Sequence, residues 1–181
     1  MDRNGAVLFP LVSRNFVAMI AVIFGATIGA CILVLPAISQ NSISKLILPN
    51  ALALGNEGDF PFALAFTASL SFYGGILLGF FMTFTTGNLK AIYSMRGRRS
   101  TVSKVITILF AMILLWSQIN LGTGSVEPHQ ISYAFFNSLK HSRIVAMFWC
   151  EAMFGLTAVS VFVSIFDLTT LTKKRRFAEL R

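Results

Sequence analysis

A single carboxylate, Glu151, lies within an otherwise apolar stretch, AMFWCEAMFGLTAVSVF at 146–162. A charged side chain at the centre of a bilayer costs roughly 3 kcal/mol or more, so such residues usually face the interior of a helix bundle. Three interpretations remain open for Glu151. It is a protonated side chain that ties two helices together, an ion-pair partner for a basic group of another subunit, or a proton, cation or amine site on a transport path.

Other polar residues are predicted to share the apolar interior with Glu151. Ser69 and Ser71, in another apolar segment, are expected at a similar depth. Three residues nearer the outer surface complete the predicted polar set: Ser117, Gln118 and Asn120. A transport path usually contains more than one ionisable group, and Glu151 is the only one that the sequence offers at this depth.

The histidines form only a weak metal-binding pattern. His129 and His141 lie twelve positions apart, with Glu127 nearby, whereas structural zinc ligands normally recur within a few residues. The sequence carries no nucleotide-binding glycine motif and suggests no Ser-His-Asp arrangement. We therefore predict no metal site, no cofactor and no enzymatic activity.

The composition indicates a membrane protein. Of the 181 residues, 55% are hydrophobic and 12% are charged, whereas soluble domains carry about 25% charged residues. The net charge of +8 is concentrated at the ends of apolar segments. This placement favours membrane lipids as partners of the basic residues and argues against nucleic acid. Cys31 and Cys150 fall inside apolar runs, where cysteines act as small buried hydrophobes.

Four apolar segments predict an all-α membrane protein, a single domain over 1–181 built as a bundle of four transmembrane helices. A helix needs about 20 apolar residues to cross a bilayer. The third segment is the shortest and becomes polar toward its end. The predicted spans are 16–38, 60–87, 105–121 and 144–168.

The basic residues predict the orientation of this bundle. Twelve of the fifteen Lys and Arg residues lie in the N-terminal flank, the middle loop or the C-terminal tail. The positive-inside rule then places both termini, including a basic tail at 172–181, on the cytoplasmic side. The residues expected to contact lipid headgroups are Arg96, Arg98, Arg99, Lys173, Lys174, Arg175 and Arg176.

The two outer connections are short, and the second one has helical periodicity. Pro128 could be an early helical residue, and Ile131, Phe135 and Leu139 follow at intervals of four. This spacing predicts a short amphipathic helix lying on the membrane surface.

Small residues recur at helical spacing in three of the predicted spans. In a bilayer, helices associate by close backbone approach through small residues, because lipid removes the advantage of hiding apolar surface from water. The residues expected at helix contacts are Gly25 and Gly29 of the first span, Ser71, Gly75 and Gly79 of the second, and Gly155 and Ala158 of the fourth.

The predicted topology is similar to that of tetraspan families such as the claudins. The paired cysteines and the tryptophan of their first outer loop have no counterpart at 39–59, so we assign no family. The short loops and glycine stripes favour an accessory or scaffold subunit that packs against other membrane-protein subunits of a larger complex. The alternative is a small oligomeric channel or transporter that uses Glu151 as a buried proton or cation site.

Overall fold

The structure, a computed structural model, describes residues 12–35, 58–85, 100–119 and 131–178. The described part of the chain is all-α, which confirms that part of the predicted fold class. Its helices are α1 (Arg14–Val34), α2 (Pro61–Thr83), α3 (Thr101–Ile119), α4 (Ile131–His141) and α5 (Arg143–Ala178).

Three stretches of helix in the described residues are long and apolar enough to cross a membrane. They are α1, α2 and the Arg143–Thr169 part of α5. The predicted third span corresponds to a shorter apolar stretch of α3, Thr101–Ser117. At 1.5 Å per residue this stretch extends about 26 Å, slightly less than the roughly 30 Å hydrocarbon core.

Serine residues begin several of these helices. Ser13 Oγ accepts a hydrogen bond from the Phe16 N–H at 3.1 Å. Ser100 Oγ accepts one from the Ser103 N–H at 3.1 Å, and Ser142 immediately precedes α5. A serine in this position satisfies an amide group that has no partner within the helix, which stabilises the first turn by about 1 kcal/mol.

Prolines mark two helix boundaries, whereas α5 meets no boundary signal. α1 ends before Leu35, which is extended because a proline follows it in the sequence and disfavours the helical conformation. α2 begins with Pro61, where the missing N–H costs nothing. The sequence has neither Gly nor Pro between 156 and 181. α5 therefore continues through most of the predicted basic tail, to Ala178.

α5 is the central helix, since it contacts each of the other four described helices. α2 packs along α5 most extensively, and α1 packs against both α2 and α5. The Val12 N–H donates to the Phe84 carbonyl at 3.3 Å, so the start of α1 meets the end of α2. Arg143, the first residue of α5, contacts the carbonyl of Ile32 near the end of α1. α1 is thus antiparallel to both α2 and α5.

One hydrophobic cluster closes the end of the bundle where α1 ends and where α2 and α5 begin. Ile32, Phe60, Leu64 and Leu139 are buried in this cluster. Leu139 anchors α4 there, while Phe135, on the same side of the predicted amphipathic helix, is 47% exposed. The described side chains of α4 therefore divide between the bundle and its surroundings.

α3 is the least buried of the long helices. Among its described side chains only Lys104 and Ala111 are buried. Its exposed side chains are large and apolar, including Ile106, Phe110 and Trp116. Such a surface suits lipid or another protein in the membrane.

Candidate functional site

The contact between α2 and α5 is made by glycines that lie directly on the partner backbone. A Cβ atom on Gly75 would lie 2.6 Å from Thr157 Cβ and 2.8 Å from the Phe154 carbonyl oxygen. One on Gly79 would lie 2.5 Å from the Ala158 carbonyl oxygen. Any side chain at either position would therefore force the helices apart. We call the contact of these five residues the closed interface.

A third glycine of α2, which the sequence reasoning did not select, receives an aromatic ring. A Cβ atom on Gly74 would lie 2.6 Å from Phe24 Cδ1. The Phe24 ring also stacks on Phe154 of α5, with 5.9 Å between centroids and 11° between planes. Gly74 thus makes room for the ring that joins α1 to the α2–α5 pair. The signal available in the sequence was the adjacent pair Gly74–Gly75.

Hydroxyl groups in and beside the closed interface donate to carbonyls of their own helices, and Ser71 also shares a side-chain hydrogen bond with Cys150 of α5. Ser69 donates to the Ala65 carbonyl at 2.8 Å, and Ser71 donates to the Thr67 carbonyl at 2.8 Å. Both serines are buried. Thr83 and Thr157 make the same bond to the carbonyl four residues earlier. These protons are satisfied without an aqueous path.

Glu151 lies between α5 and α1. A Cβ atom on Gly29 would be 3.5 Å from Glu151 Oε1 and 3.6 Å from Met147 Sδ, so Gly29 gives the carboxylate its space. Glu151 is partly buried. It lies eight residues beyond Arg143 along α5, roughly 12 Å at 1.5 Å per residue.

The hydrogen bonds of Arg143 go to the end of α1. Its Nη1 donates to the carbonyl oxygens of Ile32 at 2.8 Å, Leu33 at 2.9 Å and Leu35 at 2.9 Å. These carbonyls have no amide partner within α1, and the negative end of the helix dipole attracts the cation.

The Arg143 guanidinium also lies 5.2 Å from the centroid of the Phe60 ring at the start of α2. The residue therefore fastens three helices together at one end of the bundle. A second tie lies beside it, where Asp59 Oδ2 is 3.1 Å from His141 Nδ1 and the Asp59 N–H donates to the Lys140 carbonyl. Arg143 was not among the predicted site residues.

Other predicted site residues lie outside such contacts. Ser117, predicted to be buried, is exposed, and its hydroxyl donates to the Leu114 carbonyl within α3. The prediction was wrong because it fixed the depth of Ser117 but not the direction it faces. Among the described residues, nothing lies within 4 Å of a Cβ built on Gly25 or on Gly155.

Several predictions fall on positions whose side chains lie outside the described part. The middle-loop arginines Arg96, Arg98 and Arg99, together with Asn120, lie outside the described residues. Gln118 is described only as part of the α3 backbone, and Lys173, Lys174, Arg175 and Arg176 only as part of the α5 backbone.

Two buried charged residues were not among the predicted site residues. Lys104, at the start of α3, is 5% exposed, and Asp167, toward the end of the apolar part of α5, is 3% exposed. α3 and α5 pack against each other.

The described helices define an all-α protein with three helices able to span a membrane. Comparison with known proteins finds no matching family model, no matching curated protein and no matching solved structure.

Proposed function

We propose that this chain is a multi-pass integral membrane protein that serves as an accessory or scaffold subunit of a larger membrane complex. It acts by packing its outer helical faces against other subunits. The observation that carries this proposal is the contrast between a sealed interior and an open exterior. The closed interface leaves no room for a side chain at Gly75 or Gly79, whereas Gly25 and Gly155 meet open space among the described residues.

The chemistry of several buried hydroxyls supports the same proposal, whereas Thr67 Oγ1 and Ser164 Oγ are buried without a hydrogen bond among the described residues. The hydroxyls of Ser69, Ser71 and Thr157 donate to carbonyls of their own helices. A water-filled path would instead need polar groups that converge on a shared cavity. A rigid helix pair with bonded hydroxyls is better suited to holding a shape than to passing a solute.

We propose four spans with both termini on the cytoplasmic side. The end of α1 and the starts of α2 and α5 lie together, which supports a chain that crosses from one side to the other between successive spans. α3 then supplies the remaining crossing between α2 and α5. Its apolar stretch of about 26 Å suffices if the polar residues after Ser117 lie in the headgroup region.

The test is isolation of the full-length chain from its own membrane after lipid-phase cross-linking, followed by extraction in mild detergent and native mass measurement. An accessory subunit is expected to run with a larger membrane protein at a fixed ratio. A homo-oligomer that contains only this chain contradicts the proposal. Accessibility labelling of single cysteines placed at 88–104 and at 179–181 is expected to place both on the same face.

One observation favours the second candidate, a small oligomeric channel or transporter. Glu151 is an ionisable group inside an apolar helix, and the described residues give it neither a hydrogen bond nor an ion pair. Purified protein in vesicles with an imposed proton or cation gradient provides the test. Flux that is lost in Glu151→Gln, while the assembly keeps its size, supports this candidate. Vesicles that contain the wild-type protein and show no more flux than empty vesicles contradict this candidate.

A further inference from the structure

α1 and α5 touch at one level of the bundle and leave an open cleft at the next. At the touching level, Gly29 faces the Glu151 carboxylate at 3.5 Å, measured from a Cβ built on the glycine. One helical turn away on each helix, Gly25 and Gly155 meet nothing within 4 Å among the described residues. We call the space between Gly25 and Gly155, bounded by Glu151, the α1–α5 cleft.

The two open glycines lie at the same level of the bundle. α1 and α5 are antiparallel, and the ring of Phe24 stacks on that of Phe154 at 5.9 Å. Gly25 and Gly155 follow these rings in the sequence and so lie at the same level. Each is four residues from a member of the Gly29–Glu151 contact, and residues four apart share a helix face, so the two glycines face the same side. Phe148, 63% exposed, and Val22, 70% exposed, lie on the adjoining outer surfaces of the two helices.

Glu151 favours a positively charged or hydrogen-bond-donating partner in this cleft. Its carboxylate is partly buried in an apolar helix, and among the described residues it has no donor and no cation. The basic residue that begins α5, Arg143, is occupied by three carbonyls of α1. A carboxylate at such depth is most stable beside a positively charged group or a hydrogen-bond donor.

We propose that the α1–α5 cleft receives a transmembrane helix of a partner subunit that carries a lysine or arginine at the depth of Glu151. This inference rests on the proposed accessory role and specifies the partner's chemistry. Gly25 and Gly155 allow the partner backbone to approach closely, while the cation neutralises Glu151. A second copy of this chain fits less well, because a symmetric dimer with the two clefts facing each other would bring two Glu151 carboxylates together.

The probe is a synthetic leucine–alanine helix of about 22 residues that carries one lysine roughly 12 Å from its outer end. A matched peptide has leucine in place of that lysine. Each is incorporated with the full-length protein into phosphatidylcholine vesicles, and association is measured by energy transfer between dyes on the peptide and on the protein tail. We expect the lysine peptide to associate about tenfold more tightly with the protein than the leucine peptide does.

Substitutions in the protein assign this preference to the cleft. Glu151→Gln is expected to remove most of the tenfold difference between the peptides. Gly25→Leu is expected to weaken association of both peptides, because it fills the cleft. Ala30→Leu is the matched control: Ala30 is exposed and lies about 140° around α1 from Gly25 at 100° per residue, so association stays unchanged.

Charge reversal at Glu151 distinguishes loss of a specific ion pair from misfolding of the protein. Glu151→Lys is expected to lose the lysine peptide and to gain a peptide with glutamate at the same position, which a misfolded protein would not do. Equal binding of all peptides overturns the inference, as does energy transfer between two protein copies that disappears in Gly25→Leu. If Glu151→Gln still joins its native complex in full, this inference fails while the accessory role stands.

Discussion

The two faces of α5 meet glycines of the neighbouring helices in two different ways. On the α2 side, Gly75 and Gly79 lie against backbone and leave no space for a Cβ atom. On the α1 side, Gly29 leaves room for a carboxylate, and Gly25 meets open space among the described residues. Both pairs have the same four-residue spacing. The spacing therefore identifies helix faces that can approach closely, and the rotation of each helix decides which of them do so within this chain.

The difference also separates two kinds of stability. The closed interface is held mainly by shape, since Gly75 and Gly79 lie directly against the backbone of α5. The α1–α5 contact is held at one end by charge, through Arg143, and at mid-height by the stacked rings of Phe24 and Phe154. Substitutions that change shape should therefore act mainly on the α2–α5 contact, and those that change charge mainly on the α1–α5 contact.

Removing Arg143, whose charge lies at the end of α1, is expected to have the largest effect on stability. Arg143→Ala leaves the carbonyls of Ile32, Leu33 and Leu35 without their donor and is expected to lower the free energy of unfolding by about 3 kcal/mol. Arg143→Lys should lose about half as much, because it keeps the charge without the planar fork. Reversible unfolding in mixed micelles with increasing dodecyl sulfate measures both. Equal stability of alanine and lysine variants would show that the charge contributes nothing.

A matched pair of glycine substitutions tests the comparison at intermediate size. Gly79→Ala places a Cβ against the Ala158 carbonyl and is expected to destabilise the protein by about 2 kcal/mol. Gly155→Ala has open space and gains helix propensity, so it should be neutral or stabilising by up to about 1 kcal/mol. The same micelle titration compares them. Two effects of the same sign would mean that the faces are not different.

The smallest effect is expected from a hydroxyl beside the closed interface. Ser71→Ala removes a bond to the Thr67 carbonyl, which also lies within the helix hydrogen-bond ladder, and a hydrogen bond with Cys150, whose thiol is only a weak donor. We expect a change within about 0.5 kcal/mol. A loss as large as that of Gly79→Ala in the same titration would show that hydrogen bonds, rather than shape, hold α2 to α5.

The helices could be predicted because apolar run length and flanking charge act locally. The observed starts and ends of α1 and α2 lie within a few residues of the predicted limits. Ser13 as a cap and the prolines at 36 and 61 explain these ends from neighbouring residues alone. The extension of α5 to Ala178 followed a rule just as local, the absence of glycine and proline.

The site could be predicted only in part because it depends on how the helices are rotated and paired. The sequence contains nothing local that brings the end of α1 to Arg143 over a separation of more than one hundred residues. It also does not show which way Ser117 faces on a helix whose neighbours are few. Depth follows from counting residues, whereas direction follows from packing.

The uninterrupted length of α5 has a mechanical consequence. From Thr169 to Ala178 the helix continues roughly 14 Å past its apolar part, as one piece with the segment that carries Glu151. Because a helix resists torsion, a ligand that rotates the basic segment of α5 would also rotate Glu151. Conversely, a neighbour that binds Glu151 would reorient the basic segment. One continuous helix thus connects the apolar segment around Glu151 with the basic segment that follows it.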